Sequence, residues 1–558
     1  MNKLTSKNYA PIIDITDTFG RYGPWQRRVF IFMSTVSIFS AMHNLAISFF
    51  APNIDHWCSR PPEYQNMSVD QWKNFTIPLI KDDDGKTSFS KCQMFSFPSL
   101  NSTNNETDVI DCPSWEYEDS FYISTIVSKW NLVCDKEWAI SMSQSAFMGG
   151  YMTAVMVFGQ LSDRIGRRPV IVIAVTIFLL SGITCLFATS FMMFAILRFF
   201  ISFGVSGTGG TAFVLLMEAV GPEFRSFFGL AFNFGWALGY IILPGLAWLI
   251  RDWYYLQVAI TVPCFLLLLF WWYVPESPRW LVASRRFEEA ENVILCAANK
   301  NNFPEVHAKT TFHQMMDDIQ KEEGHQEKKR ATVFDLLKTP CMRRKSLNLF
   351  FCWFVNSFIY FGLSLNTNDL GGDPFINFFI AGAVEFPAYI FAIGIIKWFG
   401  RRIPQMALMI AGGLSCLLTI PFTHELLWLR ITLAMVGKFC ITASFGIIYV
   451  FSAEVFPTVV RNVGVGSSST CARVGSMIAP FVKELGRATH KDLPFAMFGT
   501  MSVVSGLMVL WLPETHKKIL PDTLEEGEIF GLKGSSLHNS PSRVALQDET
   551  TKTEDDNL

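Results

Sequence analysis

Twelve stretches of mainly apolar residues dominate this chain, each close to the ~20 residues that an α-helix needs to cross the hydrocarbon core of a bilayer. They lie near 29–51, 139–161, 170–188, 191–217, 227–250 and 255–274, and again near 346–368, 374–398, 404–421, 427–452, 465–486 and 494–513. In lipid, each segment must satisfy its own backbone N–H and C=O groups, so the pattern predicts an all-α membrane protein with twelve transmembrane helices. Only 17% of the 558 residues are charged, against roughly 25% in soluble domains. That is too few to coat several water-facing surfaces. A net charge of -2 gives no case for a nucleic-acid binder. The first stretch follows Arg27 and Arg28 and is long enough to span, so it reads as a retained helix and not as a cleaved signal peptide.

Charge placement orients the spans, because Lys and Arg collect on the cytosolic side. The central segment holds Arg279, Arg285, Arg286, Lys328, Lys329, Arg330, Arg343, Arg344 and Lys345, and the turn at 162–169 holds Arg164, Arg167 and Arg168. Residues 55–137 instead carry 14 acidic and 7 basic side chains. The expected layout starts with a cytosolic N-terminus at 1–28 and a six-helix half at 29–274, which includes an extracellular loop at 52–138. A cytosolic loop at 275–345, a second half at 346–513 and a disordered cytosolic tail at 514–558 follow. Ser535, Ser536, Asn539, Ser540, Pro541, Asp555 and Asp556 give that tail its polar character. The content of the first loop agrees with its placement outside. It has four glycosylation sequons, at Asn66, Asn74, Asn101 and Asn105. It also has four cysteines, Cys58, Cys92, Cys112 and Cys134, an even number suited to an oxidising compartment. Four cysteines allow three pairings.

The two halves repeat. Gly166-Arg167-Arg168 recurs as Gly400-Arg401-Arg402 at an offset of 234, Glu218 and Arg225 recur as Glu454 and Arg461 at 236, and Pro275-Glu276 recurs as Pro513-Glu514 at 238. Such a duplication predicts two pseudo-symmetric six-helix halves with a substrate site between them near the bilayer midplane.

At this point the motifs become recognisable. Gly159-Gln160-Leu161-Ser162-Asp163-Arg164-Ile165-Gly166-Arg167-Arg168 resembles the cytosolic motif of the major facilitator superfamily. Pro275-Glu276-Ser277-Pro278-Arg279-Trp280-Leu281 resembles a motif shared by its sugar porters and organic ion transporters. The large first loop, ending in Ser124-Thr125-Ile126-Val127 and Trp130-Asn131-Leu132-Val133-Cys134, narrows the branch, as does Ala453-Glu454-Val455-Phe456-Pro457-Thr458-Val459-Val460-Arg461-Asn462. Together they resemble the organic cation, organic anion and carnitine transporter family over the whole chain except the tail. The resemblance implies the major facilitator fold and a multi-pass plasma-membrane carrier that works by alternating access. It further implies a monomeric transport unit without cofactor or metal. It also implies the crossed disulfides Cys58–Cys112 and Cys92–Cys134.

The charged turns are expected to form a cytosolic gate. Asp163 would accept hydrogen bonds from the N-terminal amides of a neighbouring helix, and Arg164, Arg167 and Arg168 would pair with Glu218 or with acids of the central loop. Gly159, Gly166, Arg225, Glu454 and Arg461 complete this set. The plainer reading, in which Arg167 and Arg168 only set topology, stands beside it. Lys397 occupies the place of Asp163 in the second copy, so the gate should be asymmetric.

Ionisable groups inside the spans cost at least ~2.5 kcal/mol each and so point to the site. The candidates are Arg198, Glu385, Lys397, Lys438 and Arg473, with Glu218 and Glu454 near helix ends. Lys397 lies at a span end, where it can snorkel. Arg198, ahead of Gly204 and Gly207, resembles a pattern of proton-coupled members, and packing explains it equally well. Glu385 and Arg473 could neutralise one another. By resemblance, Glu385 matches the acid that cation and carnitine members place in this helix, whereas typical anion members carry lysine at the position of Tyr389. Arg473 stands where the cation branch usually has aspartate and where carnitine and anion members have arginine. One acid and one base suit a zwitterion, and Glu385 with aromatic faces can also hold a simple cation. Alignment with the family's pocket adds Tyr151, Trp236, Trp353, Phe354, Tyr360, Phe445 and Tyr449. Trp353, Ser357, Tyr360 and Ser364 share one helical face by their spacing. His43, with Asn44, interrupts the first span and reads as an interhelical contact before a substrate contact.

The sequence has no nucleotide loop, catalytic triad or metal-ligand cluster, so an enzyme is not expected. The expected function is a polyspecific secondary transporter of small organic cations and zwitterions, carnitine-like or amine-like. The alternative is an organic anion transporter or exchanger of the same family, favoured by Arg473 and His43 and opposed by Glu385 and Tyr389. A channel or receptor fits the repeat and the motif poorly. Sodium coupling, proton coupling, exchange and facilitated diffusion all stay open.

Overall fold

Long uncharged segments leave the backbone no partner but itself, and each becomes a helix. The computed structural model describes residues 14–81, 87–96, 108–269, 273–322, 332–422, 426–490, 492–518 and 520–531. The first half contains α1 (Pro24–Phe50), α2 (Trp138–Ile165), α3 (Arg167–Leu186), α4 (Phe191–Ala219), α5 (Pro222–Leu249) and α6 (Trp253–Leu269). The second contains α7 (Pro340–Leu365), α8 (Pro374–Phe399), α9 (Arg402–Leu418), α10 (Leu427–Val455), α11 (Arg461–Ala488) and α12 (Leu493–Val509). Seven of these are long and apolar enough to cross a membrane, and α6, α9 and α12 are shorter apolar helices. The long helices α2 and α11 are more polar because they meet each other across the interface between the halves.

Packing repeats with the sequence. Helix α1 packs on α5 as α7 does on α11, and α3 packs on α4 as α9 does on α10. Besides α2 with α11, the halves meet through α5 and α8.

The repeated glycine turns have a physical reason. Gly166 (φ +102°) and Gly400 (φ +82°) both adopt left-handed backbone, which an L side chain resists. A Cβ on Gly166 would lie 2.5 Å from Glu276 Oε2, and one on Gly400 would lie 2.8 Å from Glu514 Oε1. Those carboxylates cap the helices that follow. Glu276 accepts from the amides of Arg167 (2.9 Å) and Arg168 (3.1 Å), and Glu514 from those of Arg401 (3.0 Å) and Arg402 (3.1 Å). The helix-capping role expected of Asp163 therefore belongs to Glu276. Asp163 is 74% exposed and pairs with Arg167 at 3.1 Å.

In the 52–138 loop, three two-stranded antiparallel sheets pair His56–Cys58 with Trp115–Tyr117, Leu79–Lys81 with Thr87–Phe89, and Gln93–Phe95 with Val109–Asp111. Disulfides join Cys58 to Cys112 and Cys92 to Cys134, the pairing that the resemblance implies. The buried Trp72 donates to the carbonyl of Cys58 at 2.9 Å. Asn66 and Asn74 are exposed, while Asn101 and Asn105 lie outside the described residues.

The start of the expected disordered tail is instead docked. Glu528, on the short helix Leu524–Ile529, accepts from the Thr339 hydroxyl (2.6 Å) and from the amides of Cys341 (2.7 Å) and Met342 (2.8 Å). It satisfies orphan donors in the first turn of α7. Lys345 holds the same segment through the carbonyls of Gly527 and Phe530, each at 2.7 Å. The polar tail residues from Ser535 to Asp556 lie outside the described residues.

Candidate functional site

Pro387 has no N–H to give the carbonyl of Ala383, and α8 is interrupted at Val384, between Pro374–Ala383 and Glu385–Phe399. At that break Glu385 is fully buried. Lys438 of α10, itself buried, meets it with Nζ 3.0 Å from Oε1. The same oxygen accepts from Tyr360 Oη at 2.5 Å, and Trp236 Nε1 donates to Tyr360 Oη at 2.7 Å. Lys438 also donates to Ser364 Oγ at 2.5 Å, and its Nζ lies 3.4 Å from the Tyr360 ring centroid and 5.1 Å from that of Tyr240. A carboxylate, a hydroxyl and two aromatic faces thus surround one ammonium.

Aromatic rings continue from this point. Phe445 stacks on Tyr360 at 5.9 Å and packs against Trp353 at 6.0 Å and Tyr449 at 5.6 Å, and Tyr449 meets Trp353 at 4.3 Å. Tyr449 lies within electrostatic reach of Arg473 and Tyr151. The guanidinium of Arg473 sits 4.0 Å from the Tyr151 ring centroid, and its Nε has no hydrogen-bond partner. Among the described residues Arg473 forms no ion pair.

The structure therefore brings together Glu385, Trp236, Trp353, Tyr360, Phe445 and Tyr449, with Arg473 and Tyr151 at the other end of the aromatic series. It does not pair Glu385 with Arg473; the partner is Lys438, so mutual neutralisation of Glu385 and Arg473 is set aside. Phe354 stands apart, stacked on Phe358 at 5.9 Å, because it faces one residue round the helix from Trp353. Sequence reasoning noted Lys438 without assigning it a role. The available signal was a lysine in mid-span next to Gly437, which requires a compensating acid.

Two other buried polar groups form hydrogen bonds between helices. His43 Nε2 contacts the carbonyl of Ile260 at 3.2 Å. Arg198 donates to the carbonyl of His43 (3.0 Å) and to Gln144 Oε1 (3.2 Å), with Phe147 4.2 Å from its guanidinium. Lys397 is exposed at the end of α8.

The residues expected to form a gate centre on two ion pairs, each within one half. In the first, Arg167 pairs with Glu218 at 2.8 Å and donates to the carbonyl of Ser162 at 2.8 Å. In the second, Arg401 pairs with Glu454 at 2.9 Å, and Thr515 donates to the other oxygen of Glu454 at 2.5 Å. Arg225 donates to the carbonyl of Met217 at 3.1 Å and faces Asp14 at 3.6 Å, and Arg461 donates to Thr458 Oγ1 at 3.2 Å. Arg164 and Gly159 are exposed. Burial raises the Glu514 carboxyl, but the amides of Arg401, His516, Arg402 and Thr515 outweigh it and leave its pKa lowered. His56, Cys92 and Cys134 approach one another closely, but both sulfurs are committed to their disulfide.

The chain matches the sugar (and other) transporter family over residues 87–524. It is 38% identical to the organic cation transporter protein of Drosophila melanogaster, over 93% of this chain and 95% of that protein. It is 35% identical to the organic cation/carnitine transporter 2 of Homo sapiens, over 96% of each. Its backbone is similar to that of the E. coli xylose transporter XylE in a partially occluded inward open conformation, with a TM-score of 0.61 at 17% identity over 89% of this chain and 100% of that one. These relatives are transporters and not enzymes, and so is this chain. With its duplicated halves and its motifs, the chain belongs to the organic cation/carnitine/anion transporter family of the major facilitator superfamily.

Proposed function

We propose that this protein is a polyspecific secondary transporter of the plasma membrane that carries small organic cations and, above all, zwitterions of the carnitine type. Its termini and central segment face the cytosol, and the transport unit is one chain. The names of the two relatives support the substrate class. The observation that carries the reading is the unequal pairing of three charges: Glu385 is compensated by Lys438, whereas Arg473 has no acid among the described residues.

In this reading Lys438 holds Glu385 while the site is empty. A substrate ammonium takes its place against Glu385 and the faces of Tyr360 and Phe445, and a substrate carboxylate reaches Arg473, whose planar fork suits it. The empty site has a net charge of +1. A zwitterion leaves that unchanged, and a simple cation works against it. The residues around Asp163, Arg167 and Glu218, and around Arg401 and Glu454, open and close the cytosolic face.

The test is uptake of labelled carnitine, tetraethylammonium and benzoate by expressing cells, with and without sodium and a proton gradient. Carnitine should be taken up best and tetraethylammonium less well. Uptake of benzoate alone would overturn the reading in favour of an anion carrier, and the gradients identify the coupling ion.

A further inference from the structure

Among the described residues, the hydrogen bonds recorded between the halves lie near the middle and toward one face of the molecule. Near the middle Trp236 meets Tyr360. At the ends beside the 52–138 loop, Ser145 Oγ donates to the carbonyl of Met477 at 2.6 Å, and Ser141 Oγ reaches the carbonyl of Pro480 at 3.3 Å and Glu484 Oε1 at 2.9 Å. Pro480 lies inside α11 and leaves the carbonyl of Ser476 without its ladder donor, in the same turn of α11 that meets α2. One turn further out, Arg487 Nη1 is ion-paired with Glu137 Oε1, next to the start of α2, and lies 3.7 Å from Glu484. At the opposite ends the ion pairs of Arg167 and Arg401 close within their own halves.

We propose that Arg487, held between Glu137 and Glu484, is the bolt of an outer gate. Helices α2 and α11 must part before the substrate site can face the extracellular medium, and the Glu137–Arg487 pair breaks as they do. Ser141 and Ser145 supply a neutral inner layer of the same gate. The inference rests on the membrane orientation proposed above and is independent of the substrate.

Gly149 lies on α2, deeper than Ser145, and a Cβ there would meet Met477 at 3.8 Å and Phe199 at 3.9 Å, ordinary contacts that accept a cysteine. The experiment applies a membrane-impermeant maleimide to sealed cells expressing Gly149→Cys, with the parent protein as blank and no substrate present. Labelling should be slow. Arg487→Glu sets a third carboxylate beside Glu137 and Glu484 and should accelerate labelling by about tenfold or more, a population shift of about 1.4 kcal/mol. Arg487→Gln, the milder variant should the first fail to reach the surface, should accelerate it by roughly threefold. The exchange Glu137→Arg with Arg487→Glu should restore slow labelling.

Unchanged labelling in both Arg487 variants would overturn the proposal, as would an exchange that labels as fast as Arg487→Glu. Inside-out vesicles supply the control for orientation. Acceleration seen only from their exposed face would overturn the orientation and with it the outer assignment, while leaving the substrate reading untouched.

Discussion

Replacing Lys438 by methionine keeps most of the side-chain volume and removes the charge that compensates Glu385. Glu385 is fully buried and Lys438 is 2% exposed, so water cannot take over the lost contact. Removing one partner of a buried pair costs about 3–5 kcal/mol, because the other charge is left uncompensated. The ammonium also lies 3.4 Å from the Tyr360 ring centroid, a contact worth about 1–2 kcal/mol when desolvated. At roughly 2–4 °C per kcal/mol for a unit the size of one six-helix half, loss of the buried pair alone means that Lys438→Met should lower the melting temperature by about 6–20 °C. Glu385→Gln alone should also destabilise, since it leaves Lys438 buried without its acid. The double variant should be clearly more stable than the sum of the singles predicts, with a coupling of about 2–3 kcal/mol. The assay is thermal unfolding of the four purified proteins in one detergent. Additive losses would refute the reasoning, as would a Lys438→Met protein that melts like the wild type.

Other consequences can be checked separately. Glu276→Gln should destabilise more than Asp163→Asn, because Glu276 caps two amides of α3 whereas Asp163 is largely exposed; equal melting points would contradict this. Asp163→Asn should reach the surface and lower the maximal uptake rate, and a change confined to the half-saturation concentration would count against a gating role. The acids Asp14 and Glu514 have lowered pKa values, since hydrogen bonds and, for Asp14, Arg279 outweigh burial. Their stabilisation is therefore complete above their ordinary values of 3.8 and 4.5 and lost as pH falls through the depressed ones. Stability attributable to these groups, read from Glu514→Gln against wild type, should be constant above about pH 5. Peptide mapping should recover Cys58 linked to Cys112 and Cys92 linked to Cys134, and Asn66→Gln and Asn74→Gln should each lower the apparent mass of the mature protein.

The twelve helices, their duplication and the ionisable residues of the site were legible because each leaves a linear mark: length in apolar residues, a constant offset, or a charge where lipid forbids one. The pairing of those charges was not legible. Helical periodicity places Tyr360 and Ser364 on one face of α7, but nothing linear says that Lys438 of α10 reaches that face before Arg473 of α11 does. That is decided by how α7, α8 and α10 pack and by the break in α8 at Val384. The role of Pro275-Glu276 was visible as a repeat without its chemistry, because the amides it caps lie more than a hundred residues earlier in the chain. Tail docking was hidden for a related reason. Glu528 looks like one more charge in a polar segment until the first turn of α7 is seen to need an acceptor.

The central claim is that Glu385 and Arg473 read the two ends of one substrate. The ratio of carnitine to tetraethylammonium uptake by Arg473→Ala, against wild type at matched surface abundance, tests it most directly. A charge-assisted contact of the kind proposed is worth about 1.5–3 kcal/mol, so the ratio should fall by roughly tenfold to a hundredfold. Tetraethylammonium uptake should be kept or increased, because the variant removes a repelling charge. A ratio equal to that of the wild type, with both substrates lost together, would contradict the account and leave Arg473 with a structural role.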